Sequence, residues 1–282
     1  MKPNETFLRL PKKFWAGVRL VSQDVGYTDK NTRQIKIPSA EQIKTKLDKR
    51  GINFQKWQNY RSGSKKFGTL LDDYFRYRAE ILYRFVEPRL MDVIRAKQTF
   101  ETFHKALNPS RQVPMNKQSG EKKSPAYLTG LVNMHIEAHS QGLPCDYDPR
   151  QLTLITRNGL PVRTLARRVD GAFPSSTNPV AIWEIKEYYY TTTFGSRVAD
   201  GVYESLLDGL ELEELKENER IDVKHYLMID AHDTWWTLGK SYLCRIIDML
   251  HMGYVDEVLF GYEVVERLPL LVTEWVKIAR RR

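Results

Sequence analysis

Apolar and polar positions keep a different rhythm in the two halves of the chain. Residues 1–37 mix short apolar stretches with turn formers and settle on no period. The run Pro38-Ser39-Ala40-Glu41-Gln42 has the form of a helix start, with Ser39 as N-cap and Gln42 three positions later. Ile43 and Leu47 continue it as a stripe that ends near Gly51. Residues 57–64 are polar, basic and aromatic. From Leu70 to about Ala106 the spacing predicts a long helical stretch, kinked or divided at Pro88, in which Arg76, Arg78, Arg84 and Arg89 interleave with Tyr and Phe.

Residues 108–125, rich in Pro, Ser, Asn, Gln and Lys, read as a linker. Beyond it the pattern alternates. Ala126–Gln141 is helical, with Leu128, Leu131, Val132, His135 and Ile136 near a 3.6-residue period. Gln151–Thr156 is a strand, Asn158-Gly159 a hairpin turn, Val162–Phe173 a second strand and Pro179–Tyr190 a third. A helix capped by Ser196 runs to about Glu219. Val223–Ala231 is a strand, Lys240–Met252 a helix and Glu257–Val265 a strand. This order predicts an α/β domain with a mixed central sheet. Three regions result: a basic, mostly helical part (1–110) for DNA contact or dimerisation, a linker (111–125) and a catalytic domain (126–282).

Composition narrows the class. The chain has 282 residues, of which 41% are hydrophobic, with 15 Tyr and 6 Trp, enough for a real core and unlike a disordered chain. No apolar run reaches the roughly 18 to 20 residues that span a bilayer, and the first residues lack the charged-then-apolar order of a secretory signal. Two cysteines, Cys145 and Cys244, cannot make a structural zinc site alone, and nothing marks them as a disulfide. A cytoplasmic location is the simplest expectation. Charge is unevenly spread: residues 1–100 hold 22 Lys and Arg against 10 Asp and Glu, residues 101–200 hold 12 against 9, and residues 201–282 hold 10 against 16. A positive front half suggests a surface that attracts a polyanion.

The candidate chemistry lies where the second and third strands of that domain meet. In the third strand Ile182, Glu184 and Lys186 share one face, while Trp183 and Ile185 share the other. Glu184 and Lys186 are therefore neighbours, about 6.6 to 7 Å apart along the strand. A turn through residues 174–178 can bring Asp170 beside Glu184. Adjacent carboxylates repel unless positive charge lies between them, and a hard divalent cation suits them, because Mg²⁺ takes oxygen ligands and keeps several waters. The lysine can position or deprotonate a water, or offset charge on a pentavalent phosphate. The apolar neighbours Val180, Ile182, Trp183 and Ile185 argue against a mere solvent-facing ion pair, since charges on a buried strand need a partner or a function.

Asp170, thirteen intervening residues, then Glu184-Ile185-Lys186 resembles the D-x(n)-E-x-K signature of the PD-(D/E)XK nuclease superfamily, which holds most type II restriction endonucleases along with repair and recombination nucleases. Its core of helix, three-strand meander, helix and further strands is similar to the order over residues 126–265. Val169 stands where the family often has Pro. The resemblance implies a restriction-endonuclease-like fold in which Asp170 and Glu184 hold Mg²⁺, with Mn²⁺ able to substitute, and Lys186 serves the water. It implies cleavage of double-stranded DNA, a homodimer matching a symmetric site, and a cognate DNA methyltransferase in the same cell. The alternatives are a repair, recombination or phage-defence nuclease that reads structure rather than sequence, and a DNA-binding module that has lost catalysis.

Further residues carry weaker expectations. Glu137, on the helix before the meander, corresponds to an acidic residue that completes the metal site in many members of that superfamily. His135 and His139 stand at i and i+4, but a zinc protease needs Glu directly after the first His, and Glu137 points about 200° around the helix from His135. Tyr190, Thr192 and Arg197, after the catalytic strand, are candidates for phosphate or base contact. Lys65, Lys66 and Arg76, with Arg78 and Arg84, could clamp a duplex backbone. Asp146-Tyr147-Asp148-Pro149 reads as a turn. Asp230 and Trp235-Trp236 read as structural, with Arg245 and Asp248 paired on the following helix.

Overall fold

A mixed five-stranded sheet, flanked by helices on both faces, organises the chain. The computed structural model describes residues 1–8, 10–116, 123–190 and 195–282, except the side chains of residues 196 and 197. The N-terminal part is helical: α1 (Glu5–Leu8), α2 (Lys12–Val25), α3 (Ala40–Asp48) and α4 (Phe54–Gln58), then a small hairpin of β1 (Arg61–Ser62) and β2 (Lys65–Lys66), and α5 (Phe67–Ile81). The first two helices fall where no period was readable. Ser39 closes the expected capping box on α3: the Gln42 N–H donates to its hydroxyl at 3.2 Å, and its own N–H donates to the Gln42 side chain at 3.0 Å.

The expected long helix is interrupted, but not at Pro88. A π-helical turn (Leu82–Val86) leads into α6 (Glu87–Arg89), where Pro88 occupies the first turn and needs no N–H partner. The chain then breaks at Leu90, which is extended, and Asp92 starts α7 (Val93–Leu107) by accepting the Arg95 N–H at 2.8 Å.

The remaining elements are α8 (Tyr127–His139), β3 (Asp146–Tyr147), β4 (Leu154–Arg157), β5 (Leu160–Thr164), β6 (Gly171–Phe173), β7 (Ala181–Glu187), α9 (Ser196–Glu219), β8 (Lys224–Asp230), α10 (Lys240–His251), β9 (Glu257–Phe260) and α11 (Glu263–Ala279). The sheet order is β3-β6-β7-β8-β9; β3, β6 and β7 run antiparallel to their neighbours in turn, while β7, β8 and β9 are parallel. Three expectations need correction. The Asp146–Asp148 turn contains an edge strand, with Asp146 and Tyr147 opposite Ala172 and Gly171, before Asp148 turns at a φ of 54°. The strand expected over Val162–Phe173 is two pieces, because β4 and β5 close a hairpin sheet of their own and only β6 joins the main sheet. The strand expected over Glu257–Val265 stops at Phe260, and α11 follows, burying Val264, Leu268, Leu271, Val272 and Trp275 on one stripe.

The two faces of β7 lead to different cores. Ala181 and Trp183 pack with α8 and α11, where the Trp183 and Trp275 rings stack at 5.5 Å. Ile182, with Ala172, packs against Leu212 and Leu215 of α9. Gly171 is required by this arrangement, since a Cβ there would lie 2.1 Å from the Trp183 ring, which Trp275 holds from behind. Gly171→Ala is therefore expected to destabilise the fold by about 3 kcal/mol, the upper end of ordinary overpacking; a change under about 1 kcal/mol in urea-melt stability would disprove that reading of the contact.

The N-terminal helices are not a detached unit. Ile35, Ala79, Leu82, Val86 and Leu90 share one apolar cluster with Leu227, Ile229, Val258 and Phe260 of the sheet. Arg78 is fully buried and pairs with Asp248 of α10 at 2.9 Å, while Tyr74 donates to the same carboxylate at 2.6 Å. This corrects two expectations: Arg78 cannot reach DNA, and the partner of Asp248 is Arg78. Arg245 instead lies over the Tyr27 and Tyr242 rings.

Candidate active site

The backbone of β6 and β7 places the acid pair. Asp170 lies one residue before β6, and its N–H donates to the Trp183 carbonyl at 3.2 Å and also reaches Glu184 Oε1 at 3.2 Å. In return the Ile185 N–H donates to Asp170 Oδ2 at 2.8 Å. The two carboxylates are thus tied to each other's strands. The alternation of β7 puts Lys186 on the same face, and its Nζ donates to Glu184 Oε2 at 2.7 Å. The three residues expected to converge do so.

Helix α9 adds groups that the sequence reading missed. Glu204 accepts from Lys186 Nζ at 2.9 Å, and Asp208 accepts from Arg167 Nη1 at 2.7 Å. Arg167 comes from the irregular stretch between β5 and β6 and forks onto Glu184, with Nη1 to Oε1 at 2.8 Å and Nη2 to Oε2 at 3.2 Å. The signal that could have found the acids is their spacing: Asp200, Glu204 and Asp208 are four residues apart and so share one face of a helix. Gly201, between two of them, leaves room for lysine, since a Cβ there would sit 3.1 Å from Lys186 Cδ.

Glu184 and Asp208 are fully buried and Lys186 nearly so, which makes protonation informative. Burial alone would lower the Lys186 pKa, but attraction to Glu184 and then Asp170 raises it above the ordinary lysine value. With these acids beside it and no metal bound, Lys186 favours its ammonium form, a donor and a positive charge. Burial would likewise raise Glu184, yet Lys186 and Arg167 hold it below the usual carboxylate range. Asp208 has less help: burial pushes it up to about 7 against the pull of Arg167. On the other face of β7, Glu187 accepts the Thr129 N–H and hydroxyl at 3.0 Å each, at the start of α8, and burial pushes it to about 7.

Beside this cluster lies a cleft of about 960 Å³, lined by Asp170, Lys186, Arg167 and Glu204 but not by the buried Glu184 and Asp208. Arg167, Asp170, Lys186, Glu187, Asp200 and Glu204 contribute its charged wall, with Tyr188, Tyr189 and Tyr190 beside them. Thr129 and Asn133 of α8 face it, and the segment from Ser110 to Asn116, read as linker from its composition, forms the opposite wall. Below the cleft Asp230 ends β8, fully buried; it accepts from the Met91 N–H at 2.7 Å and from the Tyr189 hydroxyl, and burial pushes its pKa to about 7.

Other expected residues lie elsewhere. Glu137 is not brought to the acid pair; it is a turn beyond Asn133 on α8 and accepts the Ser110 N–H at 3.0 Å as well as its hydroxyl. Lys65 pairs with Asp73 and Arg76 with Asp72 on the exposed N-terminal surface, where Lys66 is exposed too. Tyr190 lines the cleft, Thr192 lies outside the described residues, and Arg197 is in the first turn of α9 with its side chain outside them.

Whether Mg²⁺ suits this site is a question of donors and charge. Among the described residues no group of three or more His, Cys, Asp or Glu side chains is arranged to hold a metal ion. Mg²⁺ does not need one: one or two carboxylates with waters and substrate phosphate are its usual set. Glu184, Glu204 and Asp208 pair with the two cations Arg167 and Lys186, and Asp170 lies close enough to Lys186 to act on its charge, so even with Asp208 held near neutral the acids outnumber the cations. The oxygen donors and this surplus suit a hard cation such as Mg²⁺, which Asp170 and Glu184 would hold.

A mixed sheet flanked by helices, with Asp170 and Lys186 lining a cleft and Glu184 buried next to them, defines the class as an α/β protein with a charged candidate active site. The chain belongs to a family described as a domain of unknown function (DUF7687), whose model matches residues 91–275. Residues 1–85 match a second domain of unknown function (DUF7690). No curated protein and no solved structure matches the chain.

Proposed function

We propose that the chain is a Mg²⁺-dependent endonuclease that hydrolyses phosphodiester bonds of double-stranded DNA, sequence-specifically in the manner of a type II restriction enzyme. One observation carries this reading: Asp170 and Glu184 are cross-tied through the backbone of adjacent strands, with the Lys186 ammonium 2.7 Å from the buried Glu184, and Asp170 and Lys186 line a cleft. The element order supports it. Helix α8, the antiparallel β3, β6 and β7, then α9 and β8 resemble the core of the PD-(D/E)XK superfamily, with the β4–β5 hairpin as an insertion.

Bound Mg²⁺ would lower the pKa of a water and polarise the phosphoryl oxygen. Asp170 and Glu184 would hold it. Lys186, kept protonated by its acid neighbours, donates N–H bonds to the attacking water or to a phosphoryl oxygen and offsets the charge that gathers in the transition state. The water oxygen bonds to phosphorus as its proton passes to solvent, one P–O ester bond breaks, and the departing oxygen takes a proton from solvent, so the proton count closes. The basic surface of the first hundred residues supplies salt-sensitive attraction to the duplex. A homodimer and a protective methyltransferase belong to the same proposal.

The test is digestion of defined plasmid DNA by the full chain with Mg²⁺, with Mn²⁺ and with EDTA, followed by sequencing of the ends. Discrete fragments are expected with either metal and none with EDTA. Fragments without common ends would replace sequence by structural specificity. Binding without cutting any DNA form would mark a module that has lost catalysis and would overturn the hydrolytic reading.

A further inference from the structure

Arg167 has no part in the chemistry just described, yet it reaches three acids of the cluster, Glu184, Asp208 and Glu204. Its Nη1 lies 2.8 Å from Glu184 Oε1 and 2.7 Å from Asp208 Oδ2, and its Nη2 lies 3.2 Å from Glu184 Oε2 and 3.3 Å from Glu204 Oε2. Both oxygens of Glu184 are therefore engaged by one planar fork, a geometry that guanidinium offers and ammonium does not. Asp208 is fully buried, and its Oδ1 makes no hydrogen bond among the described residues, so Arg167 is its principal partner. The Arg167 side chain is about a fifth exposed (22%) and lines the cleft.

From this geometry we infer that Arg167 is an internal cation that competes with the divalent metal for Glu184, a positioning residue that keeps the carboxylate aligned and must yield it on metal entry. The inference rests on the metal-dependent reading above. Its cause is electrostatic: a fixed positive charge within hydrogen-bond distance of a ligand oxygen opposes a second cation there. Asp208 and Glu204, which share the guanidinium, give it a place to remain once Glu184 is taken.

The experiment measures Ca²⁺ binding directly, by titration calorimetry on the full chain without DNA. Arg167→Gln is expected to bind Ca²⁺ about tenfold more tightly than the parent, because the competing charge is gone. Arg167→Lys keeps the charge and loses the fork, and is expected to stay within about threefold of the parent. Should Arg167→Gln fail to fold, the same comparison is made between Asp208→Asn and the Asp208→Asn/Arg167→Gln double variant, which leaves no unpaired buried acid; the tenfold gain is expected there too. Equal or weaker Ca²⁺ binding without Arg167 would overturn the inference and leave the metal-dependent reading standing. No Ca²⁺ or Mg²⁺ binding in the parent or any variant, either alone or with duplex DNA added, would overturn that reading, and this inference with it.

Discussion

Lys186→Ala and Asp170→Asn are each expected to lower Mg²⁺-dependent DNA cleavage by about 10²–10³-fold, the usual cost of removing one electrostatic stabiliser of a transition state. The two act differently. Asp170→Asn keeps an oxygen for the Ile185 N–H, so β6 and β7 stay joined while the charge proposed to hold the metal is lost. Lys186→Ala removes the ammonium that holds Glu184 and Glu204 together, so part of its effect falls on stability. Circular dichroism and gel-shift affinity in Ca²⁺ separate the causes: both variants should bind duplex DNA within a fewfold of the parent. Parental cleavage rates in either variant would sink the site assignment.

The largest loss of stability is expected from Asp248→Ala. It strands the Arg78 guanidinium, which is only 1% exposed, among the Tyr27, Tyr74 and Phe75 rings, and removes the acceptor of the Tyr74 hydroxyl. Breaking a buried pair by deleting one partner costs about 3–5 kcal/mol, a large part of the roughly 5–15 kcal/mol that holds a typical domain folded. Pairing Asp248→Ala with Arg78→Met removes the orphan charge and should restore part of the loss. Urea melts of the single and double variants check both statements. A single variant that loses less than about 1 kcal/mol, or a double variant worse than the single, would show that the pair does not carry this junction.

How much could be read from the chain alone follows from where each residue sits. Glu184 and Lys186 were legible because a strand alternates strictly, so residues two apart must share a face. Asp170 needed only a short return to the next strand. Arg167 was hidden because Val162–Phe173 reads as one strand; the irregular stretch that swings the guanidinium inward comes from closure of the β4–β5 hairpin, a tertiary event. Arg78 was misjudged from residue type alone. Its position in the series Leu71, Tyr74, Phe75, Arg78, Ala79, Leu82 puts it on the buried stripe, and periodicity should have outweighed charge. Helix α11 is hidden in the sequence because only Gly261 and Tyr262 separate it from β9, so the two apolar runs merge.

The apolar cluster that joins Ile35, Leu82 and Val86 to strands β8 and β9 has a consequence for how the two family segments relate. Severed between residues 85 and 91, the larger piece would present to water the oily seam those side chains now seal, next to a buried acid, Asp248, with no cation left to answer it. The two family segments thus share one apolar seam and one buried ion pair, and neither seals its own edge without the other.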